Sequence, residues 1–206
     1  DFEGSIIVPG FIDCHVHFPQ LDIIASFGEQ LLDWLDRYAY PGEMRLADED
    51  YARALAATFV EELIANGTTS ALVFATVHPH SADILFDEAL ASELRLISGK
   101  VLMDRNAPPQ LQDTADSAYA DSRALIERWQ GRARLGYAIT PRFALTSSPA
   151  ELKAAGRLAH EFPETWIHTH LAENHREIEE VAAAFPWASS YLAVYERFGL
   201  LRERAV

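Results

Sequence analysis

The chain has 206 residues, 49% of them hydrophobic, which is enough for one sizeable core and unlike a fibrous or disordered chain. Its formal net charge of −14 would repel nucleic-acid phosphates and anionic membranes, so we expect neither as a partner. A single cysteine, Cys14, excludes an internal disulfide and a Cys-rich zinc motif, and without a signal-like or membrane-spanning apolar run we expect a cytoplasmic protein.

Five apolar segments alternate with longer amphipathic stretches, a pattern that predicts repeated βα units and a mainly parallel sheet. The predicted strands are FIDCHVH from Phe11, TSALVFATV from Thr69, LISGKVLM from Leu96, RLGYAIT from Arg134 and TWIHTHLA from Thr165. Each is almost continuously apolar, which is typical of strands covered on both faces.

Apolar residues recur at helical spacing between the predicted strands. We expect two helices between the first two strands, at 31–38 and 55–64, the second ending at Asn66-Gly67. Further helices are predicted at 81–94, 113–129, 149–162 and 174–198, the last with a break near Phe185-Pro186.

The number of βα units favours one α/β architecture. A complete (β/α)8 barrel takes about 250 residues, so five units here predict a TIM-type barrel that lacks about three units at its C-terminal end. An open doubly wound sheet is the alternative. However, the first strand ends in histidines and lacks the GxGxxG turn of a dinucleotide site, which favours the barrel.

Paired histidines end the first and fifth predicted strands. His15 and His17 are two positions apart, so their side chains share a face with Cα atoms about 6 to 7 Å apart, and both can reach one metal ion. A catalytic zinc site keeps one position open for water. Alone, such a pair is also found on surfaces and in hydrogen-bonded cores. His168 and His170 repeat the pattern at the same predicted mouth of the barrel.

Glu173 follows His170 by three residues. A carboxylate beside a metal-bound water can accept its proton and later give it to a leaving group. The alternative is a capping or solvated role at the start of the next helix, where the helix dipole favours acidic side chains.

The remaining histidines show no such pairing with a strand end. For His80, His160 and His175 we expect solvated or locally hydrogen-bonded roles. His78 ends the second predicted strand, and its role is left open.

The run PGFIDCHVH at 9–17 resembles the PGxxDxHxH opening of the amidohydrolase superfamily, metal-dependent hydrolases built on a distorted (β/α)8 barrel. Beyond it, HVHFPQ, LLDWLDRYAYPGE, NGTTSALVFAT, GKVLMD, TPRFALTSS and HTHLAEN follow in an order similar to the superfamily members that deaminate guanine. The resemblance covers essentially the whole chain. It implies that 9–206 form the first part of the catalytic barrel and that 1–8 supply the last strand of a small β-sandwich domain.

The resemblance also implies a metal site. His15, His17 and His170 would bind one zinc ion, or iron or another divalent metal. Glu173 would shuttle protons, and His168 would lie behind the ligands. A further histidine from the sixth strand and an aspartate from the eighth would lie beyond residue 206, so we expect this segment alone to be inactive.

The substrate implied is guanine, hydrolysed to xanthine and ammonia in purine metabolism. Gln20, Arg142 and Phe143 would receive the purine, since the guanidinium suits its carbonyl and the amide both donates and accepts. Without the resemblance, Phe143 is predicted to be a core aromatic, and we expect Leu31 and Trp34 to be packing residues.

Two other interpretations stay open at this point. One is a different aminohydrolase of the superfamily, acting on a triazine, a pterin, cytosine or an adenosine derivative. The other is a noncatalytic binding protein or an inactive fragment. Because similar enzymes are commonly dimers, we expect a homodimer with a small-molecule purine as its substrate.

Overall fold

In the computed structural model, which describes residues 2–206, parallel strands form one sheet. The strands are β1 (Phe11–His17), β2 (Thr68–Phe74), β3 (Arg95–Gly99), β4 (Val101–Leu102), β5 (Leu135–Pro141) and β6 (Trp166–Ile167). β1 pairs with β2, β2 with β3, and β5 with β3, β4 and β6, all in parallel. The five predicted strand positions and the parallel sheet are therefore confirmed.

When β4 is counted as the continuation of β3, the order of these strands follows the chain, without the reversal that marks a doubly wound sheet. The third predicted strand is divided at Lys100 into β3 and β4, which is a difference from the sequence prediction. A Cβ atom on Gly99 would lie 1.8 Å from the carbonyl oxygen of Ala138. Only glycine permits this close approach of neighbouring strands.

Helices connect the strands. They are α1 (Leu31–Trp34), α2 (Tyr40–Met44), α3 (Glu49–Ala65), α4 (Pro79–Ala91), α5 (Ala115–Trp129), α6 (Pro149–Glu161), α7 (His175–Ala184) and α8 (Tyr191–Arg197). Shorter 3-10 turns occupy Phe18–Ile23, Arg45–Ala47 and Pro109–Leu111. At five helix N-termini, a side-chain oxygen of the cap residue accepts a hydrogen bond from a backbone N–H of the first turn. The cap residues are Asp48, Thr114, Ser148, Asn174 and Ser190.

Two of the predicted helices differ in detail. The helix expected at 31–38 is a composite, because the five residues Leu35–Ala39 form a π-helical turn between α1 and α2. The long helix expected at 174–198 is interrupted over 185–190, which confirms the break predicted near Phe185-Pro186 and makes it wider than one turn. Proline cannot continue the backbone hydrogen bonds of a helix, which accounts for the end of α7.

Both faces of the sheet are covered at β5, whereas β1 is largely exposed, with Phe11 62% and Ile12 71% exposed. Every residue of β5 is buried. On the helical side, the ring of Phe86 packs 5.4 Å from that of Trp129 and 6.3 Å from that of Tyr137. On the other face, the ring of Phe74 meets the paired histidines. Coverage on both faces, expected for every strand from its apolar character, is therefore confirmed for β5 and is wrong for β1.

The two ends of the described chain differ. Residues 2–10 precede β1 and lie in no described strand, so the β-sandwich strand expected at 1–8 stays a prediction; its first residue, Asp1, lies outside the described residues. At the other end, Ala205 forms a parallel bridge with Ile167, where a sixth barrel strand is expected. Between residues 2 and 206, no helix is both long and apolar enough to span a membrane.

Candidate metal centre and substrate pocket

Three histidines converge at the carboxyl ends of the strands. His15 and His17 end β1, and His170 follows β6; one ring nitrogen from each lies within 4.8 Å of the others. Nε2 of His17 is 3.2 Å from Nε2 of His15 and 3.1 Å from Nε2 of His170. Tetrahedral zinc with Zn–N bonds of about 2.0 to 2.1 Å holds its ligand nitrogens about 3.3 Å apart. The spacing of these imidazoles fits one such ion.

The protein holds these rings from behind. Nδ1 of His170 donates to the carbonyl oxygen of Arg142 at 2.7 Å, which leaves Nε2 with its lone pair free for a metal. Nδ1 of His15 is 3.0 Å from Nε2 of His168, which is buried behind it, and the amide nitrogen of Gln20 is 3.2 Å from Nδ1 of His17. Each candidate ligand therefore has an orienting contact at its second ring nitrogen.

The environment keeps these imidazoles neutral, which is the form that binds metals. Burial is the main cause: it lowers the pKa of His17 well below its ordinary value, that of His168 to about 2 and that of His170 to about 3. The pKa of His15 is also lowered by burial, against an opposing effect of Asp13.

Phe74, at the end of β2, forms the floor of the histidine cluster. Its ring stacks on His17 with centroids 4.5 Å apart and lies 4.5 Å from His170 and 4.2 Å from His168. The sequence analysis did not single out this residue. The sequence placed Phe74 inside the predicted strand 69–77, whereas the observed strand β2 ends at this residue, next to β1 with its two histidines.

A cavity of about 160 Å³ opens beside the histidines. This is small beside the roughly 300 to 1,000 Å³ of pockets for drug-sized ligands and suits one small molecule. Its walls are formed by His15, His17, Gln20, Leu31, Trp34, Leu35, Arg142, Phe143, His170 and Glu173. All the predicted site residues line it except His168. Leu31 and Trp34, which we expected to be packing residues, line it as well.

Arg142 is held by a residue that sequence reasoning missed. Its Nη1 donates to both carboxylate oxygens of Glu43, at 2.8 and 2.7 Å, and both side chains are almost fully buried. Glu43 lies in α2, 99 residues away. It ends the run LLDWLDRYAYPGE that carries part of the family resemblance, but the sequence analysis assigned it no role. Phe143 is buried beside Arg142 and also forms part of the wall.

Glu173 stands at the solvent-exposed rim. It does not cap α7: Asn174 is the cap residue, and Glu177 completes the capping box. Partial burial raises the pKa of the Glu173 carboxyl, the nearby carboxylate of Glu177 raises it further, and Arg142 opposes the rise. A carboxyl with a raised pKa beside a cavity is suited to proton transfer.

The other histidines lie elsewhere. Nε2 of His80 bonds with the carbonyl oxygen of Leu46 at 2.6 Å, while His160 and His175 are exposed on helices. His78 stacks on His80 with ring centroids 5.6 Å apart. None of them belongs to the cluster around His17, as the sequence analysis expected for His80, His160 and His175; for His78 it had left the role open.

The chain is similar in sequence and in structure to known proteins. The family model described as "Amidohydrolase family" matches residues 6–206. A guanine deaminase from Escherichia coli strain K12 is 52% identical over this whole chain, which covers 47% of that relative. A solved E. coli guanine deaminase structure matches with a TM-score of 0.94 and 52% identity, over 96% of this chain and 46% of that one.

A second solved structure holds a ligand. The guanine deaminase from C. acetobutylicum, described with guanine bound in its active site, matches with a TM-score of 0.93 and 32% identity, over 97% of this chain and 48% of that one. The chain thus spans about half the length of the relatives it matches. Its fold is that of the corresponding part of these barrels, and since the family match extends over nearly all of its length, the chain belongs to the amidohydrolase family.

Proposed function

We propose that the protein formed by this chain is a hydrolase that deaminates guanine to xanthine and ammonia. The observation that carries the proposal is the convergence on one cavity of His15, His17, His170 and Glu173 with the polar groups of Arg142. The 52% identity to an E. coli guanine deaminase supports the choice of guanine over other heterocyclic amines.

His15, His17 and His170 would hold one divalent metal ion, and a set of neutral imidazole nitrogens at this spacing suits zinc. When bound, such an ion supplies a water molecule with a lowered pKa. The carboxylate of Glu173 then accepts a proton from the attacking water and returns one to the departing amine. The raised pKa of Glu173 favours both directions of this transfer.

The purine would be received by three side chains of the cavity wall. The guanidinium of Arg142 donates to the carbonyl oxygen at C6, and the ring of Phe143 packs against the heterocycle. The amide nitrogen of Gln20 faces Nδ1 of His17 at 3.2 Å. A metal bound through Nε2 would leave the proton on Nδ1, so the amide would turn to present its oxygen to the ring, and its NH₂ group would then donate into the cavity. Adenine has no 6-oxo group and would leave the Arg142 donors without an acceptor.

The test is ammonia release by the full-length, zinc-loaded protein from guanine, adenine, cytosine and a pterin. We expect turnover of guanine, lost by a factor of about 100 or more in Glu173→Gln. Glu179→Gln is the matched control, because Glu179 is exposed on α7, away from the cavity wall. Turnover of a different base would contradict the purine contacts, and a zinc-loaded protein inactive on every base would contradict the enzymatic assignment.

We also propose that the protein acts in purine metabolism, lies in the cytoplasm and forms a homodimer, as the sequence analysis expects. Sedimentation of the full-length protein at several concentrations measures the assembly directly, and a monomer throughout would contradict that part alone.

A further inference from the structure

The buried ion pair between Glu43 and Arg142 joins two segments of the chain that each contribute residues to the cavity wall. Glu43 belongs to α2, and Arg142 directly follows β5. The side chain of Glu43 is 0% exposed and that of Arg142 is 3% exposed. The segment that leads to α2 also supplies Leu31 and Trp34 to the cavity.

A buried ion pair of this kind contributes little net stability, because the loss of hydration offsets much of the attraction between the charges. The pair does fix the position of the Arg142 guanidinium. Both hydrogen bonds from Arg142 use the single nitrogen Nη1. The N–H groups on Nε and Nη2 are outside this pair, so the guanidinium keeps donors for a further partner.

A third contact restricts the same group. The ring of Tyr40 lies 5.3 Å from Cζ of Arg142, within the range of a cation–π contact. The guanidinium is thus fixed at one nitrogen by a carboxylate and flanked by an aromatic ring, while the residue lines the cavity beside Phe143. A side chain held in this way loses little conformational entropy when it binds a ligand.

We propose that Glu43 is a positioning residue, which orients the guanidinium of Arg142 toward the carbonyl oxygen of an oxopurine and thereby sets the preference for that class of base. The inference rests on the function proposed above. Glu43 lies outside the cavity wall and acts through Arg142. The competing role is a purely structural bridge between α2 and the end of β5.

A base that lacks the carbonyl separates the two roles. 2-Aminopurine carries the same reacting amine as guanine and has no oxygen at C6. A loss of positioning weakens catalysis on guanine far more than on 2-aminopurine, whereas a structural defect lowers both alike.

The experiment is a double-substitution cycle in the full-length protein, with Glu43→Gln, Arg142→Gln and the two combined, measuring kcat and KM on both bases together with zinc content. For Glu43→Gln we expect a rise of about 10-fold or more in KM for guanine, since a misaligned charged hydrogen bond loses that factor, and unchanged zinc content. In the Arg142→Gln background, Glu43→Gln should alter the preference for guanine less than about twofold, because it acts through that side chain.

Two further variants keep the test decisive. Glu43→Asp retains the charge but shortens the reach, so the same loss of preference is expected even if Glu43→Gln fails to fold. Asp33→Asn breaks an exposed ion pair of the same segment, with Arg176, and should leave the preference unchanged.

Equal losses on both bases, or additive effects of the two substitutions, would overturn the positioning role alone. Wild-type protein that does not turn over guanine would overturn the proposed function and this inference with it.

Discussion

The imidazole of His17 lies flat on the ring of Phe74, with centroids 4.5 Å apart and an angle of 8° between the planes. Phe74 is fully buried, so it supports the histidine from inside the sheet. Phe74→Leu should lower zinc affinity by about 10- to 100-fold, the usual cost of losing a group that orients a metal ligand. Zinc retained after dialysis against a weak chelator measures the effect.

Phe86→Leu is the control for Phe74→Leu. Phe86 is equally buried but packs on Trp129, on the helical face of the sheet. Both variants should lose about 1 to 3 kcal/mol of unfolding free energy, and only Phe74→Leu should lose zinc. Equal zinc loss in both would show that general loosening of the core, not the contact with His17, governs metal binding.

A second carboxylate tunes the pKa of Glu173. One carboxylate oxygen of Glu177, Oε2, accepts from the backbone N–H of Glu173 at 2.8 Å, and the hydroxyl of Tyr191 donates to the other at 2.7 Å. Since the charge of Glu177 raises the pKa of Glu173, Glu177→Gln should lower it. The acid limb of the kcat/KM profile should therefore move to lower pH.

Tyr191→Phe separates the effect of the Glu177 charge from that of the hydrogen bond that Glu177 accepts from Tyr191. It removes the hydroxyl but keeps the charge of Glu177, so the acid limb should stay near its wild-type position. A shift of the same size and direction in Tyr191→Phe would assign the effect to the hydrogen bond.

Ala172 holds a strained backbone conformation immediately before Glu173. Its φ is +58°, in the left-handed region that costs residues other than glycine about 1 to 2 kcal/mol. Ala172→Gly should keep activity, because glycine adopts this conformation readily. Ala172→Val should lose about 1 to 3 kcal/mol of unfolding free energy and should turn Glu173 away from the cavity.

Activity and stability should be measured together for the variants of Ala172. If Ala172→Val kept wild-type kcat at full occupancy by zinc, the backbone at this position would not set the direction of Glu173. A loss of kcat in Ala172→Gly would show that rigidity, and not only conformation, matters there.

Glu151, in α6, is fully buried near a charged pair formed by Lys100 and Asp113. Burial is the main cause that raises the pKa of its carboxyl well above the ordinary 4.5, and Asp113 and Asp104 add to the rise. The folded protein therefore retains a proton that the unfolded chain releases. As pH rises above about 4.5, unfolding free energy is lost, by up to about 1.4 kcal/mol per pH unit.

Glu151→Gln mimics the protonated carboxyl and removes this dependence. We expect the variant to resemble wild type near pH 5 and to be the more stable protein near pH 8, as measured by urea unfolding. The exposed Glu179→Gln serves as the control and should follow wild type at both values. A variant less stable than wild type near pH 8 would show that Glu151 is ionised in the folded protein.

Local patterns explain what the sequence could predict. The strand that carries His15 and His17 is readable from its apolar residues, and the two-residue spacing places both side chains on one face whatever the rest of the fold does. The end of α3 at Asn66-Gly67 is similarly local, since glycine adopts the positive φ of +80° found there.

Contacts between distant segments explain the rest. The division of the third strand at Lys100 depends on how closely Gly99 approaches the backbone of Ala138. The pair of Glu43 with Arg142 joins residues 99 positions apart, and although Glu43 ends a run that resembles the family, no local pattern shows that it is buried or which residue it pairs with. Both features arise from packing between elements, which periodicity and spacing do not encode.

The carbonyl oxygen of Arg142 accepts N–H bonds from both the backbone and the ring of His170, at 3.0 and 2.7 Å, while the side chain of the same residue faces the cavity. Every amino acid has this carbonyl. The contact that orients His170 therefore does not depend on the side chain of Arg142. If Arg142 receives the substrate as proposed, its replacement would change the substrate preference without moving the imidazole that would hold the metal. Such a separation would let substrate preference change by substitution at one position while the metal site stays intact.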